Sequence, residues 1–281
     1  MTGFSRIRRC ACLAGGVMYA AAVAAQQVEV RLTLAYNGFV IGEPVLVEVE
    51  LLNATRNPVV VGEKGAQSAL FMDVSFGDAY NLLAPVNPEP LAGAFTLNPG
   101  QTFRRKLELD KWYPLVREGR YMTQLVLAHE GMRYESVKKS FDVVPGIPVC
   151  EGVQMFVNRQ KLKRHFKLVY WHRNQTDRLF LRTEDEPGAL IWDAIDLGIL
   201  LRGTTPKLDI SPQGEVTVVH RSTQDAFLRT VLWSLPDSLE IVERNSLMDP
   251  EISASQRVKS LYGEMAEGQT GEEKKAWWKF W

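Results

Sequence analysis

Short runs of alternating apolar and polar residues dominate residues 27–145. In VLVEVELLN (Val45–Asn53), Val45, Val47, Val49 and Leu51 recur with a period of two, which places them on one face of a strand. Seven further runs read as strands: Val28–Tyr36, Pro58–Gly62, Ala69–Phe76, Ala92–Leu97, Thr102–Leu109, Arg120–His129 and Arg133–Val144. Turn residues lie between them, among them the interval that contains Asn37-Gly38. This spacing predicts a β-sandwich.

One local motif connects this region to a known class of module. In LVREGRYMTQLVL, Gly119 precedes Tyr121 by two residues at the entry of an apolar strand. With GEPVLVEVELLN and NPGQTFRRKLELDKWYPLVREGRY, the motif resembles bacterial immunoglobulin-like modules of exported proteins, and the resemblance covers residues 27–145. It implies a tyrosine corner, in which the Tyr121 phenol bonds back to the crossing loop and Gly119 makes the turn. It also implies a scaffold or binding module and names no catalytic residue.

An internal repeat follows a short linker, Pro145-Gly146-Ile147-Pro148, at which we place a domain boundary. HRNQTDRLFLRT (His172–Thr183) matches HRSTQDAFLRT (His220–Thr230) about 47 residues later, and an apolar strand precedes each copy. The period is typical of propeller blades, but two units are too few to close a propeller. Three arrangements stay open: a face-to-face sandwich, one twisted sheet that leans on the first domain, or closure in an oligomer.

Both ends of the chain differ from this β pattern. Residues 1–25 combine three arginines, an apolar run and small residues before Gln26, which is the plan of a secretory signal peptide, or of a membrane anchor if it is not cleaved. Residues Asp249–Met265 predict a short helix, because Asp249 fits an N-cap and Pro250 the first helical position. The chain then ends in KKAWWKFW, where Trp277, Trp278, Phe280 and Trp281 are candidates for binding a partner groove or a membrane surface. The alternatives are that this C-terminal end folds back on its own domain or packs against nothing.

Composition excludes several functions. The whole chain has 33 basic and 33 acidic residues, so it lacks the positive excess of a general nucleic-acid binder. Removing residues 1–25 subtracts three arginines and two of the three cysteines, which leaves a slightly acidic chain with Cys150 alone. A lone thiol forms no intramolecular disulfide, and we expect Cys150 to be a buried structural residue.

No catalytic or metal-binding motif stands out in the remaining chain, and we expect no cofactor and no metal. Because His172 and His220 occupy equivalent repeat positions, we expect both to do the same structural job. The run Glu184-Asp185-Glu186, with Asp193 and Asp196 beyond it, could bind calcium but is more typical of a solvated turn. Asp193 and Glu215 could form a glycosidase pair, although any chain of this size contains many such pairs.

The sequence therefore predicts an all-β protein: an immunoglobulin-like β-sandwich, a second β domain built from two repeats of about 47 residues, and a short C-terminal helix. The predicted boundaries are 1–25 (signal peptide), 26–145, 146–245 and 246–281. We expect an exported protein, periplasmic or extracellular, that binds a protein or glycan partner without catalysis. The alternative is a secreted hydrolase with acidic residues between its domains. The oligomeric state is left open.

Overall fold

The structure is a computed structural model that describes residues 27–62, 68–77, 81–155, 163–186, 190–235 and 239–248. Within these ranges all regular structure is β-strand, apart from one 3-10 turn over Leu109–Lys111. The all-β class is therefore confirmed. The predicted signal peptide and the predicted helix Asp249–Met265 lie outside the described residues. No helix in the described ranges has the length and apolarity of a membrane span.

The first half of the described chain holds ten strands. They are β1 (Val28–Leu34), β2 (Gly38–Val40), β3 (Leu46–Asn53), β4 (Val59–Val61), β5 (Ser68–Phe76), β6 (Phe95–Leu97), β7 (Thr102–Glu108), β8 (Gly119–His129), β9 (Met132–Glu135) and β10 (Lys139–Val144). One sheet has the order β1-β3-β7 and another the order β2-β10-β8-β5, with β9 also paired to β8 and a β4-β6 ribbon beside them. All pairs are antiparallel except β2 with β10.

The period-two pattern of β3 has the predicted consequence. Val45, Val47, Val49 and Leu51 are each at most 2% exposed, and they pack with residues of the facing sheet in one core. The prediction that these four residues share a buried face is confirmed. The two sheets form a sandwich because each turns one apolar face inward.

Two details of this half differ from the sequence prediction. The interval around Gly38 is not only a turn, because Gly38–Val40 forms β2 and pairs in parallel with β10. The run Arg133–Val144 is not one strand but two, β9 and β10, which pair with opposite ends of β8. The break has a local cause: Ser136 bonds to Leu125 through both its backbone N–H and its hydroxyl, which takes the chain out of the ladder.

The second half consists of two four-stranded antiparallel meanders. The first contains β11 (Ile147–Met155), β12 (Lys163–Arg173), β13 (Thr176–Glu186) and β14 (Leu190–Ile199), and the second contains β15 (Lys207–Ile210), β16 (Glu215–Arg221), β17 (Ala226–Ser234) and β18 (Leu239–Met248). The two copies of the sequence repeat occupy equivalent places, the hairpin between the second and third strands of each meander. The repeat therefore describes one four-stranded unit.

The two meanders pack face to face. One core joins Phe166, Leu168 and Leu181 of the first sheet to Val216, Val218 and Leu232 of the second. Of the three arrangements that the sequence left open, this is the sandwich.

A buried arginine also links these two sheets. The Arg164 side chain on β12 is 0% exposed, and its Nε and Nη2 donate to the two Asp185 carboxylate oxygens at 2.8 and 3.0 Å. Its Nη1 donates to Ser234 Oγ at 3.0 Å and to the Leu235 carbonyl at 2.6 Å, both at the end of β17. One side chain thus joins the two sheets across their core.

Candidate functional site

The two halves meet around a buried ion pair. Arg173, at the end of β12, donates from Nη1 to Glu43 Oε1 at 2.7 Å, and the two side chains are only 4% and 9% exposed. The second Glu43 oxygen accepts the Val40 N–H at 2.9 Å. The Arg173 guanidinium lies 3.8 Å from the ring centroid of Tyr36, and its Nη2 is 3.3 Å from Asp196. These contacts pair both buried charges, although Arg173 Nε has no hydrogen-bond partner among the described residues.

Apolar packing surrounds this ion pair. Val40 of β2 packs with Val169, Phe180 and Ala194 of the β11–β14 sheet, and Trp171 covers the cluster. The Ala194 N–H donates to the Gly42 carbonyl at 3.0 Å, so edge strand β14 is partly covered by the first half.

An open crevice of about 340 Å³ beside this junction collects acidic residues. Glu43, Asp193 and Asp196 line it together with Tyr36. Glu43 and Asp196 are held in ion pairs with Arg173 and Arg178. Burial, with a smaller contribution from the negative charge of Asp110, raises the pKa of Asp193 to about 6. This is the place in the described chain that best fits the acidic interdomain site of the hydrolase alternative.

Glu215 does not join this crevice. It lies on β16 opposite Trp233, and its side chain is on the outer face of the β15–β18 sheet. The suggested pairing of Asp193 with Glu215 therefore has no common site in the structure.

The sequence suggested that the acidic run at residues 184–186 is a solvated turn, but the structure shows that it is part of a strand. It lies on β13, opposite a basic stretch of β12. Glu184 pairs with Lys167 at 2.7 Å, Asp185 with Arg164 at 2.8 Å, and Glu186 with Lys163 at 3.4 Å. All three carboxylates therefore form ion pairs with basic side chains of the neighbouring strand. Among the described residues, no group of three or more His, Cys, Asp or Glu has a metal-binding arrangement.

The two repeat-equivalent histidines do different jobs, contrary to the prediction. The His172 side chain is 64% exposed, and its Nδ1 lies 2.9 Å from Asp177. His220 is 1% exposed, and neither ring nitrogen has a hydrogen bond of good geometry within the described chain. Burial lowers the pKa of His220, which the nearby Ile199 carbonyl partly offsets. The repeat fixes the same strand position, one residue before the end of β12 and of β16, but His172 is exposed there and His220 is buried inside the sandwich.

The structure also shows a serine–histidine pair that the sequence analysis missed. Ser68 Oγ lies 2.6 Å from His129 Nδ1, because the two residues are directly opposite each other on β5 and β8. Ser68 is only 5% exposed, which leaves no room for a substrate carbonyl at its hydroxyl. We therefore assign this pair a structural role.

Tyr121 and Gly119 lie at the entry of β8. The Tyr121 hydroxyl donates to the Arg117 carbonyl at 2.9 Å, and its oxygen accepts the Arg117 N–H at 3.2 Å. Gly119 has φ of +140°, and a Cβ there would lie 2.9 Å from the Phe76 ring. These contacts fasten the loop before β8 to the sandwich.

Cys150 is half-buried on edge strand β11, next to a bulge, and forms no disulfide with any described residue. The Cys150 side chain packs against the core between the two meanders, and burial raises the pKa of its thiol. The candidate partner-binding residues Trp277, Trp278, Phe280 and Trp281 lie outside the described residues.

Strand β18 is the most exposed long edge in the described part of the chain. Nine of its ten residues are exposed, and it pairs only with β17. Three other edge strands carry features that oppose pairing. β7 bears consecutive bases, β11 contains Pro148 and a bulge, and β14 is bonded to Gly42.

The C-terminal half of β18 borders an apolar groove. The groove has a volume of about 450 Å³ and is lined by Val219, Phe227, Leu247 and Met248 together with Lys207 and two threonines. Leu247 and Met248 are 44% and 61% exposed. The N-terminal half of β18 has a bulge opposite Val231 and Leu232, so the regular part of the edge is the part beside the groove.

Comparison of the chain with models of known protein families gives no match. Comparison with curated proteins gives none either. Among solved structures, the chain is similar to Spo0M, a sporulation control protein from Bacillus subtilis, with 10% sequence identity and a TM-score of 0.29. The alignment covers 86% of this chain and 98% of that one. A TM-score this low carries no argument about fold or function.

Proposed function

We propose that the chain is an exported, non-enzymatic binding or envelope-assembly module that recognises a protein partner by strand addition at β18. The observation that carries the proposal is the ten-residue edge strand with nine exposed residues. The outward N–H and C=O groups of such an edge template another extended strand, and side-chain pockets beside it select the sequence.

The groove supports an extended polypeptide over a glycan as the partner. An added strand next to β18 would place alternate side chains over Leu247 and the Phe227 groove, where apolar groups lose contact with water. Glycan sites require several aimed polar side chains, whereas Val219, Phe227, Leu247 and Met248 supply apolar surface.

The hydrolase alternative rests on the junction crevice, which Asp193 lines, and on Asp110, whose charge acts on Asp193 although it does not line the crevice. Burial raises the pKa of both carboxyl groups. An acid–base pair needs two carboxyl groups that face one substrate bond. Asp110 accepts the Val45 N–H at 2.8 Å, so it is engaged in fixing the loop before β3. The crevice therefore supports catalysis less well than β18 supports binding.

The proposal is tested with peptides selected from a displayed library of random 12-residue sequences. We expect selected peptides to alternate apolar and polar residues, and to protect amides of β18 from hydrogen exchange. Leu247→Lys is expected to weaken their binding at least tenfold, because it places a charge in the groove at the edge. Val137→Lys is the matched control, since Val137 is 75% exposed in the first half.

Protection of another strand, or equal binding to Leu247→Lys and the native chain, would show that β18 is not the recognition edge. Binding of an oligosaccharide at β18, with no peptide selected, would replace the protein partner by a glycan.

A further inference from the structure

The outer face of the β15–β18 sheet has an acidic end that contains an exposed tryptophan. Trp233 on β17 is 38% exposed and lies directly between Glu215 on β16 and Glu240 on β18. Because residues opposite each other in an antiparallel ladder share a face, these three side chains form one row. The next row along the same face contains Asp209 and Glu243. We call these five residues the acidic tryptophan face.

The charge of this face is only partly balanced within the described chain. Glu243 pairs with Arg229 at 3.0 Å. No basic side chain of the described chain forms an ion pair with Asp209, Glu215 or Glu240. A ligand for this surface would therefore combine positive charge with flat apolar groups that cover Trp233.

The sequence of this protein contains such a segment. Residues 274–281, KKAWWKFW, place three lysines among four aromatic residues. Lysines beside the carboxylates gain only modest Coulomb energy in water, because exposed ion pairs are screened. Aromatic rings on Trp233 add apolar burial and cation–π contacts, so that several weak terms act together.

The length of chain between the two elements permits contact within one molecule. About 25 residues separate Met248, the last residue of β18, from Lys274. A random segment of that length would have a root-mean-square span of about 25–30 Å. The helix predicted for Asp249–Met265 would itself span about 25 Å and leave eight residues beyond it, so either form reaches that far. Strand β18 itself spans about 33 Å, and Trp233 lies opposite Glu240 near its start. A tether that matches the distance gives an effective concentration of about 1 mM, at which weak contacts suffice.

We propose that residues 274–281 dock in cis on the acidic tryptophan face, with the lysines beside Glu215 and Glu240 and the aromatic side chains on Trp233. The contact covers the Trp233 end of the outer face of this sheet and leaves the hydrogen-bonding edge of β18 open. The apolar groove lies on the same face, but Phe227 and Trp233 are six residues apart on β17, about 20 Å, so the contact is separate from the partner site proposed above.

The test uses the full chain and a fluorescent peptide with the sequence of residues 270–281. In what we call the tail-reversed chain, Lys274→Glu, Lys275→Glu and Lys279→Glu reverse the charge of the tail. The acidic tryptophan face then repels this altered tail. We expect the peptide to bind this chain at least tenfold more tightly than the native chain, whose own tail occupies the face. Adding Glu215→Lys and Glu240→Lys to the tail-reversed chain is expected to remove that binding.

Glu118→Lys in the tail-reversed chain is the matched control, since Glu118 is exposed in the first half. It is expected to bind the peptide as the tail-reversed chain does, and circular dichroism melting verifies that every variant is folded.

Three results would overturn the proposal. Equal peptide binding by the native and tail-reversed chains would show that the native tail leaves the face open. A native dimer that becomes a monomer on tail reversal, measured by sedimentation, would assign the face to the tail of a second copy. Binding of the peptide to phosphatidylglycerol vesicles, without binding to the tail-reversed chain, would assign the tail to a lipid surface.

Discussion

Single buried charges in this protein have individual partners. Arg164 donates four hydrogen bonds to oxygens of described residues, and Glu43 is bonded to both Arg173 and Val40. Asp193 is different, because burial and Asp110 act on it without a basic partner among the described side chains. Its raised pKa therefore reports a carboxylate whose charged form destabilises the fold at neutral pH.

Asp193→Asn is expected to stabilise the protein at pH 7.5 by about 1–2 kcal/mol, since it removes a charge whose folded pKa, about 6, lies above the ordinary value of 3.8. A carboxyl with a raised folded pKa binds its proton more tightly in the folded state. The unfavourable contribution of Asp193 to stability therefore shrinks as the pH falls from about 7 towards 4. The difference between variant and native chain should shrink over that range, as measured by urea unfolding at several pH values.

Asp225→Asn, at an exposed turn, is the control and should change stability little at any pH. A stability difference for Asp193→Asn that stays constant from pH 7.5 to pH 4 would contradict this account of Asp193.

At the scale of elements, the sequence predicts a strand well where one face is buried. The period-two residues of β3 are all buried, because alternation reports directly which side meets the core. The alternation pattern does not predict strands whose pairing depends on residues far away in the sequence. Three-residue β2 exists because β10 lies beside it, and the break between β9 and β10 depends on Ser136 bonding to Leu125.

The candidate sites follow the same division. The apolar groove and the junction crevice are each assembled from strands far apart in the chain, so no local pattern marks them. The repeat predicted that His172 and His220 have equivalent strand positions, but burial of one and exposure of the other depend on the facing sheet.

Arg164 gives an element-scale prediction, because it joins the two sheets of the second half. Arg164→Met should cost about 3–5 kcal/mol in the free energy of unfolding, since Asp185 loses its bidentate partner. Arg164→Lys should recover little of this, because an ammonium cannot reproduce the planar fork that reaches Asp185 and Ser234 together. Both values come from chemical denaturation.

Arg31→Met is the matched control: Arg31 is 63% exposed in its ion pair with Glu29, and its loss should cost less than about 1 kcal/mol. If Arg164→Met cost no more than Arg31→Met, the two sheets would not depend on this side chain.

For the whole molecule, the main question is how firmly the two halves are joined. The junction contains a buried ion pair, an apolar cluster and the backbone bond from Ala194 to Gly42. The Arg182 side chain also donates to the Pro145 carbonyl at 2.8 Å, and a Cβ on Gly146 would lie 2.8 Å from Val169. The connecting segment is thus packed against the second half, and we expect the halves to move as one body.

Arg173→Met tests this junction. It leaves the Glu43 carboxylate buried without its base, which should cost about 3–5 kcal/mol at pH 7.5. Burial already raises the pKa of Glu43, and loss of Arg173 raises that pKa further. A carboxyl with a raised folded pKa regains stability as it is protonated, so the cost should fall as the pH is lowered towards 5.

Adding Glu43→Gln, which keeps an acceptor for the Val40 N–H, should make the double variant more stable than Arg173→Met alone at pH 7.5. Arg178→Met, at the partly exposed pair with Asp196, is the control. A double variant no more stable than Arg173→Met would mean that packing of the arginine, and not the stranded Glu43 charge, determines the strength of the junction.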